Sequence, residues 1–284
     1  MRDDRSLDTL AGFAHDLARD AGALLRSRFG DAIEMRLKGA IDPVTQVDLD
    51  SERLIVEAIR RAFPEHDILT EEGPGQESRS PHRWIVDPLD GTTNFAHGYP
   101  MFSVSIALER EGRPVLGVVH APAIEELYWG VAGRGAFGVR LGRRPRPLRV
   151  STAEPLDRAF VVTGMPYGLR EEPEPVVRAF DRMLLRTFAL RRDGTAALDL
   201  CYVAAGVFDA FWEVELKPWD VAAALVMLGE AGATVTDMAG GPYRLGDATL
   251  AASNGRVHAE MIRVLVEAGA PPLGGTRWSG RGGR

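Results

Sequence analysis

The sequence predicts a layered α/β protein built in two halves. Helix-period and strand-like segments follow one another along the whole chain. Near residue 150 a β-rich stretch gives way to a more even α/β texture. The chain has 284 residues at 45% hydrophobic composition, enough for a substantial core in one large domain or two closely packed halves. We expect an N-terminal α+β half over 1–150, a C-terminal α/β half over 151–270, and a disordered Gly- and Arg-rich tail over 271–284.

The elements follow in order. Leu7, Leu10, Ala14, Leu17, Ala18, Ala21, Leu24 and Leu25 space out an amphipathic helix over 7–29, closed by Gly30. Residues 48–62 read as a second helix, stopped before Pro64. "HDILTEEG" is a short strand running into a loop, and "RWIVD" is a strand. "FSVSIALER" and "RPVLGVVHA" form a hairpin across Glu111-Gly112. "ELYWGVAG" and "GAFGVRLG" continue the sheet. After 150, strands are expected in "RAFVVTG", "VFDAFWEVE", "ATVTDM" and "TLAASN". Helices are expected over 173–187, "TAALDLCYVAAG", "WDVAAALVMLGEAG" and 255–268.

Bulk properties narrow the function classes. A net charge of −6 argues weakly against a polyanion binder. One cysteine, Cys201, rules out an intrachain disulfide and suits a reducing cytoplasm. No apolar run approaches eighteen residues, so no membrane span is expected. "MRDDRSLDTLAGF" has two acids where a signal peptide would be basic.

The chemistry concentrates in "WIVDPLDGTT", residues 84–93. Asp87 and Asp90 follow an apolar run. Two bare carboxylates that close repel, and one must take up a proton unless a cation stands between them. Asp87, Asp90 and the Leu89 carbonyl are hard oxygen donors with no histidine or cysteine pair nearby, which selects Mg²⁺ or Mn²⁺ over Zn²⁺. Glu71 and Glu72 close the preceding strand, and Asp220 starts a later helix. If a helix also begins at Gly91-Thr92-Thr93, its free N–H groups form an anion site. Clustered acids beside a phosphate cradle point to metal-assisted phosphoryl hydrolysis. The bland alternative is that these acids are turn formers and N-caps.

Three blocks in order, "DPVTQVD" with "EE" at 71–72, "WIVDPLDGTTNF" and "WDVAAALVMLGEAG", resemble the inositol monophosphatase family over roughly 7–268. The resemblance implies a five-layer α-β-α-β-α sandwich of the inositol monophosphatase and fructose-1,6-bisphosphatase type, assembled as a homodimer. It implies two or three Mg²⁺ per site: Glu71, Asp87 and the Leu89 carbonyl at the first, Asp87, Asp90 and Asp220 at the second, and Glu71 through water at a third. Thr92 with Asp48 would polarise the attacking water, with Glu71 close by. The N–H groups of Gly91 and Thr92 would bind phosphate. Gly194, Thr195 and Ala196 would face the sugar, with Asp90 and Glu213 binding its hydroxyls. Lys38 matches a lysine near the metals, and Glu72 and Arg191 are further candidates.

The expected substrate is myo-inositol 1-phosphate, with Li⁺ inhibition by resemblance. Fructose-1,6-bisphosphate and histidinol phosphate are the alternatives within the class. Glu213 favours a polyol, because a carboxylate accepts hydrogen bonds from vicinal hydroxyls and repels a second phosphate. Met165 stands where bacterial relatives commonly carry an aromatic, and Leu49 where an acid is usual. The run Arg140, Arg143, Arg144, Arg146 and Arg149 reads as a solvated loop. Its sharper reading, an RNA or transcription-complex contact, is the alternative of a different class. "GRGAFG" spells GxGxxG, but the prolines after it forbid the helix a dinucleotide site needs. Cys201 reads as a buried structural thiol, and His97 as a loop residue.

Overall fold

Among the described residues the strands sort into two large sheets, with helices on and between them, and a two-stranded ribbon of Met35–Leu37 and Pro43–Thr45. The structure is a computed structural model that describes residues 6–31, 35–37, 43–140, 142–170 and 173–269. Lys38 and the tail 271–284 lie outside the described residues. The helices are α1 (Leu7–Arg28), α2 (Gln46–Ala62), α3 (Thr92–Ala96), α4 (Pro173–Leu184), α5 (Ala196–Ala204), α6 (Pro218–Ala231) and α7 (His258–Glu267).

The first sheet has seven strands running from Asp67–Thr70 to Arg146–Pro147 in sequence order. Its two faces separate by the period of two that a pleated strand imposes. Trp84, Val86, Ile106 and Val118 pack against α1 and α2. Ile85, Ala107 and Val119 pack the other way, into a cluster shared with α5 and α6. The same cluster takes in Val162, Phe211, Leu250 and Ala252 from the second sheet, which has five strands. The second sheet's far face, with Val161, Trp212 and Ala251, packs on Ala179 and Met183 of α4 and Met261 and Leu265 of α7. The layers therefore run helix, sheet, helix, sheet, helix, as the resemblance implies.

Helix α6 explains why the middle layer can be dry on both sides. "PWDVAAALVMLGEA" is apolar almost all round, so it suits a position between two sheets rather than a surface. Gly117 has the Ala223 backbone pressed against it, so a side chain there would collide with α6. The helix ends where Gly232 takes a left-handed φ of 87°.

The expected elements are present with altered bounds. The hairpin turns at Glu111 and Gly112, both at positive φ, which is the two-residue turn that matches strand twist. The glycines of "GRGAFG" form a turn into the strand Gly135–Val139, which pairs antiparallel with Glu126–Val131. The strand expected in "RWIVD" is longer, running His82–Asp90.

Candidate active site

The extra length of that strand is what builds the site. Residues three apart on a regular strand face opposite sides of the sheet. Here Asp87 pairs with Ser105 and Asp90 with Ser103, so three steps on one strand match two on its neighbour. One residue is bulged between them, at the stretch containing Pro88, which cannot donate to the ladder. Ser103 and Ser105 share a face, so Asp87 and Asp90 do too. Gly91 then turns the chain at a φ of 93°, tight against Met101 and Phe102, and α3 begins at Thr92.

Helix α2 supplies the next layer. Asp48 is the third residue of the helix, and its Oδ2 accepts from the Thr45 N–H at 2.9 Å and the Thr45 hydroxyl at 2.5 Å. This capping box fixes Asp48 with its Oδ1 turned to Thr92, whose hydroxyl donates to it at 2.8 Å and also lies 3.2 Å from the Leu89 carbonyl. One turn on, Ser51 donates to the Pro88 carbonyl at 2.9 Å. Glu52 accepts from the Thr70 hydroxyl at 2.5 Å and the Glu72 N–H at 2.8 Å, bracing the segment that carries Glu71. Leu49 is exposed.

The later half reaches in twice. Asp90 Oδ2 accepts from the Thr195 hydroxyl at 2.7 Å and the Ala197 N–H at 2.9 Å, so it caps α5 from across the molecule. Asp220 is the third residue of α6 and folds back on the Lys217 N–H at 2.7 Å. The Ser105 hydroxyl, beside Asp87 in the sheet, donates to the Trp219 carbonyl at 3.2 Å. Asn94 donates to the carbonyls of Met101 at 2.6 Å and Asp193 at 2.7 Å, tying α3 to the turn before α5.

These placements bring four of the sequence-predicted acids into one electrostatic field. Burial pushes the Asp87 carboxyl well above its usual range, and the charges of Glu71, Asp90 and Asp220 push it further. Burial likewise raises Asp220, with Glu71 and Asp90 adding to it. Asp90 is raised to about 6 by burial, against the hydrogen bonds from Thr195 and the start of α5. Asp48 is raised by burial, partly offset by Thr45 and Thr92. Among the described residues no three such side chains already form a finished metal cage. The donor set is nonetheless all hard oxygen. Asp87 uses one oxygen on the Leu89 N–H and Asp220 one on Lys217, and the other oxygen of each meets no hydrogen-bond donor among the described residues. A small divalent cation fits that set and would relieve the repulsion.

Glu213, on the strand Ala210–Val214, is raised to about 8 by burial and the Asp90 charge, against Arg192. Gly194 takes a φ of 77° just before α5. Arg191, the arginine singled out in the sequence, lies over the Phe160 ring, 4.9 Å from its centroid, and it is Arg192 whose charge reaches Glu213. Met165 is half-buried just beyond the Phe160–Thr163 strand.

Sequence reasoning missed Glu52, Asn94 and Asp199. Asp199 is buried in α5, neither carboxylate oxygen has a hydrogen-bond partner among the described residues, and burial, Asp193, Glu213 and Asp90 drive it well above the usual carboxylate range. Its signal is one charge inside an otherwise apolar helix, "AALDLCYVA".

The basic run is a partial correction. Arg143, Arg144 and Arg146 are exposed, as a solvated loop should be. Arg140 is not solvated loop: it pairs with buried Glu126 at 3.0 Å and lies over the Tyr202 ring. Cys201 is buried, with its thiol raised by burial. His97 closes back on α3, its Nδ1 2.9 Å from the Thr93 carbonyl.

Comparison with known proteins places the chain in a known family. The model of the inositol monophosphatase family matches residues 6–270. An inositol-1-monophosphatase of Mesorhizobium japonicum is 42% identical over 260 residues, covering 90% of this chain and 94% of the relative. A putative Nus factor SuhB of Neisseria meningitidis is 38% identical over 255 residues, covering 89% and 96%. The crystal structure of the extragenic suppressor protein suhB from Bartonella henselae superposes with a TM-score of 0.84 at 38% identity, covering 90% of this chain and 98% of that one. With a match across nearly its full length and relatives near 40% identity, the chain belongs to the inositol monophosphatase family.

Proposed function

We propose that the chain hydrolyses phosphate monoesters of polyols, with myo-inositol 1-phosphate as the preferred substrate, by direct attack of water and without a phosphoenzyme. The observation that carries this reading is the Thr92–Asp48 hydrogen bond standing beside mutually repelling, buried acids.

Glu71, Asp87, the Leu89 carbonyl, Asp90 and Asp220 are the residues that would hold Mg²⁺, two ions directly and a third through water on Glu71. Bound Mg²⁺ lowers the pKa of water towards neutrality and offsets the charge of the phosphoryl group. Thr92 donates its proton to Asp48, so its lone pairs are available to accept one from water. Asp48 is raised by burial and thereby a stronger base for that relay. The N–H groups of Gly91 and Thr92 receive phosphate oxygens. Because the Thr195 hydroxyl is spent on Asp90, residues 194–196 contribute to the sugar through backbone. Glu213 accepts from the leaving group's hydroxyls through its carboxyl oxygens, which favours a polyol over fructose bisphosphate.

The test is phosphate release from myo-inositol 1-phosphate with and without Mg²⁺, for wild type and Asp90→Asn. Turnover that ignores Mg²⁺, or a kcat/KM for fructose-1,6-bisphosphate or histidinol phosphate well above that for inositol phosphate, would overturn it.

A second reading rests on the exposed Arg143, Arg144 and Arg146 and on a relative named as a Nus factor. It holds that this loop contacts RNA or transcription machinery. Binding to structured RNA that is unaltered when the three arginines are replaced by serine would rule it out. We further read the protein as a cytoplasmic homodimer, with the single buried thiol and the exposed apolar Leu184, Leu185 and Phe188 in support.

A further inference from the structure

We infer that Gly164 is the residue that positions Glu213, and that it sets the preference between polyol and non-polyol leaving groups. This rests on the reading that Glu213 accepts from the leaving group's hydroxyls.

The strand Phe160–Thr163 runs parallel to Ala210–Val214, with Thr163 paired to Trp212. The Thr163 hydroxyl donates to the Trp212 carbonyl at 2.6 Å, which pins the two strand ends together. Gly164 and Glu213 come one step later. A Cβ built on Gly164 would fall inside the Glu213 carboxylate, overlapping its Cδ and both oxygens. Gly164 has no positive φ, so the backbone itself does not demand glycine. The space does. The carboxylate occupies the volume that any other residue's side chain would fill, so the two cannot share that position.

One methyl group would therefore displace Glu213, and the fold offers it somewhere to go. A crevice beside the pair is lined by Pro175, Val176, Ala179, Trp212 and Met238. A carboxylate moved towards that apolar wall no longer meets a hydroxyl at the position it now holds. Because Asp87, Asp90 and Asp220 lie on other elements, the loss falls on leaving-group recognition.

The test compares kcat/KM for myo-inositol 1-phosphate with that for 4-nitrophenyl phosphate, whose leaving group has no hydroxyl to offer. It is run in wild type, Gly164→Ala, Glu213→Ala and the double variant. We expect the ratio between the two substrates to fall about tenfold or more in each single variant, through KM, and the double variant to match Glu213→Ala, because Gly164 acts only through the carboxylate. A ratio shifted by Glu213→Ala but not by Gly164→Ala would overturn the positioning role alone. So would effects that multiply in the double variant. A ratio unmoved by Glu213→Ala would overturn the reading of Glu213, and this inference with it.

Discussion

Thr195 donates its hydroxyl proton to Asp90 at 2.7 Å, across 105 residues of sequence. A side chain expected to hold a cation thus also caps a helix belonging to the other half of the molecule. On the proposed reading, function and fold share one carboxylate, so the choice of substitution decides which is lost.

Asp90→Asn keeps an oxygen that can accept from Thr195 and Ala197, so the fold should survive while turnover falls. The drop should exceed the roughly 10–100-fold that groups supporting a metal site are worth. Asp90→Ala removes the cap as well and should lower stability by a further ~1 kcal/mol. Paired thermal melts and phosphate-release assays separate the two effects. Equal melting temperatures for Asn and Ala would show that the cap carries no weight.

Thr92→Val deletes the hydroxyl that donates to Asp48 and that we propose relays the proton of the attacking water. Turnover should fall by about 10²–10⁴, the range typical of a lost acid–base group, with little change in KM. Thr92→Ser should retain most activity. Activity in the valine variant within a few fold of wild type would remove the relay.

The raised acids predict an unusual pH profile for the protein stripped of divalent cations. Asp90 moves from 3.8 to about 6 and Glu213 from 4.5 to about 8. Folded chain holds these protons more tightly than unfolded chain, so their stabilisation is complete below about pH 4 and is lost as pH rises through 6 to 8. For Asp90 alone the change is at most about 3 kcal/mol. Melting temperature should decline between pH 5 and 8, and Mg²⁺ should flatten that decline. A metal-free melting temperature that rises over this window would contradict the electrostatics of the site.

Asp199→Asn replaces a carboxyl that has no hydrogen-bond partner among the described residues by a neutral group of the same shape. Since burial already favours the protonated acid, the substitution should cost little at pH 5 and raise the melting temperature at pH 8, where deprotonation is penalised. A lower melting temperature at pH 8 would mean that the Asp199 charge has a stabilising partner.

Much of the site is legible in the chain's own pattern. Asp87, Asp90, Glu71 and Asp220 stand out because acids at the ends of apolar runs need a reason. The bulge does not stand out. Strict alternation sends Asp87 and Asp90 to opposite faces, and the apolar run "RWIVD" places the strand's end at Asp87. Pro88 is the only hint of more. Arg140 escapes for another reason: its run looks like a loop, and the partner that orders it, Glu126, sits on a neighbouring strand. Glu52 and Asn94 are invisible because their partners, on Thr70, Glu72, Met101 and Asp193, lie outside their own helices, which no local pattern records.

The shared middle layer has a consequence for the order of synthesis. Ile85, Ala107 and Val119 of the first sheet are covered only when α5 and α6 arrive. A ribosome that has released the first 150 residues presents a sheet with one greasy face bare and its acids lacking Asp220 and Thr195. Such a nascent chain is a client for chaperones and is silent as a hydrolase. Synthesis of α5 and α6 both completes the proposed catalytic centre and removes the aggregation hazard, so a chain that has not yet reached them lacks the activity.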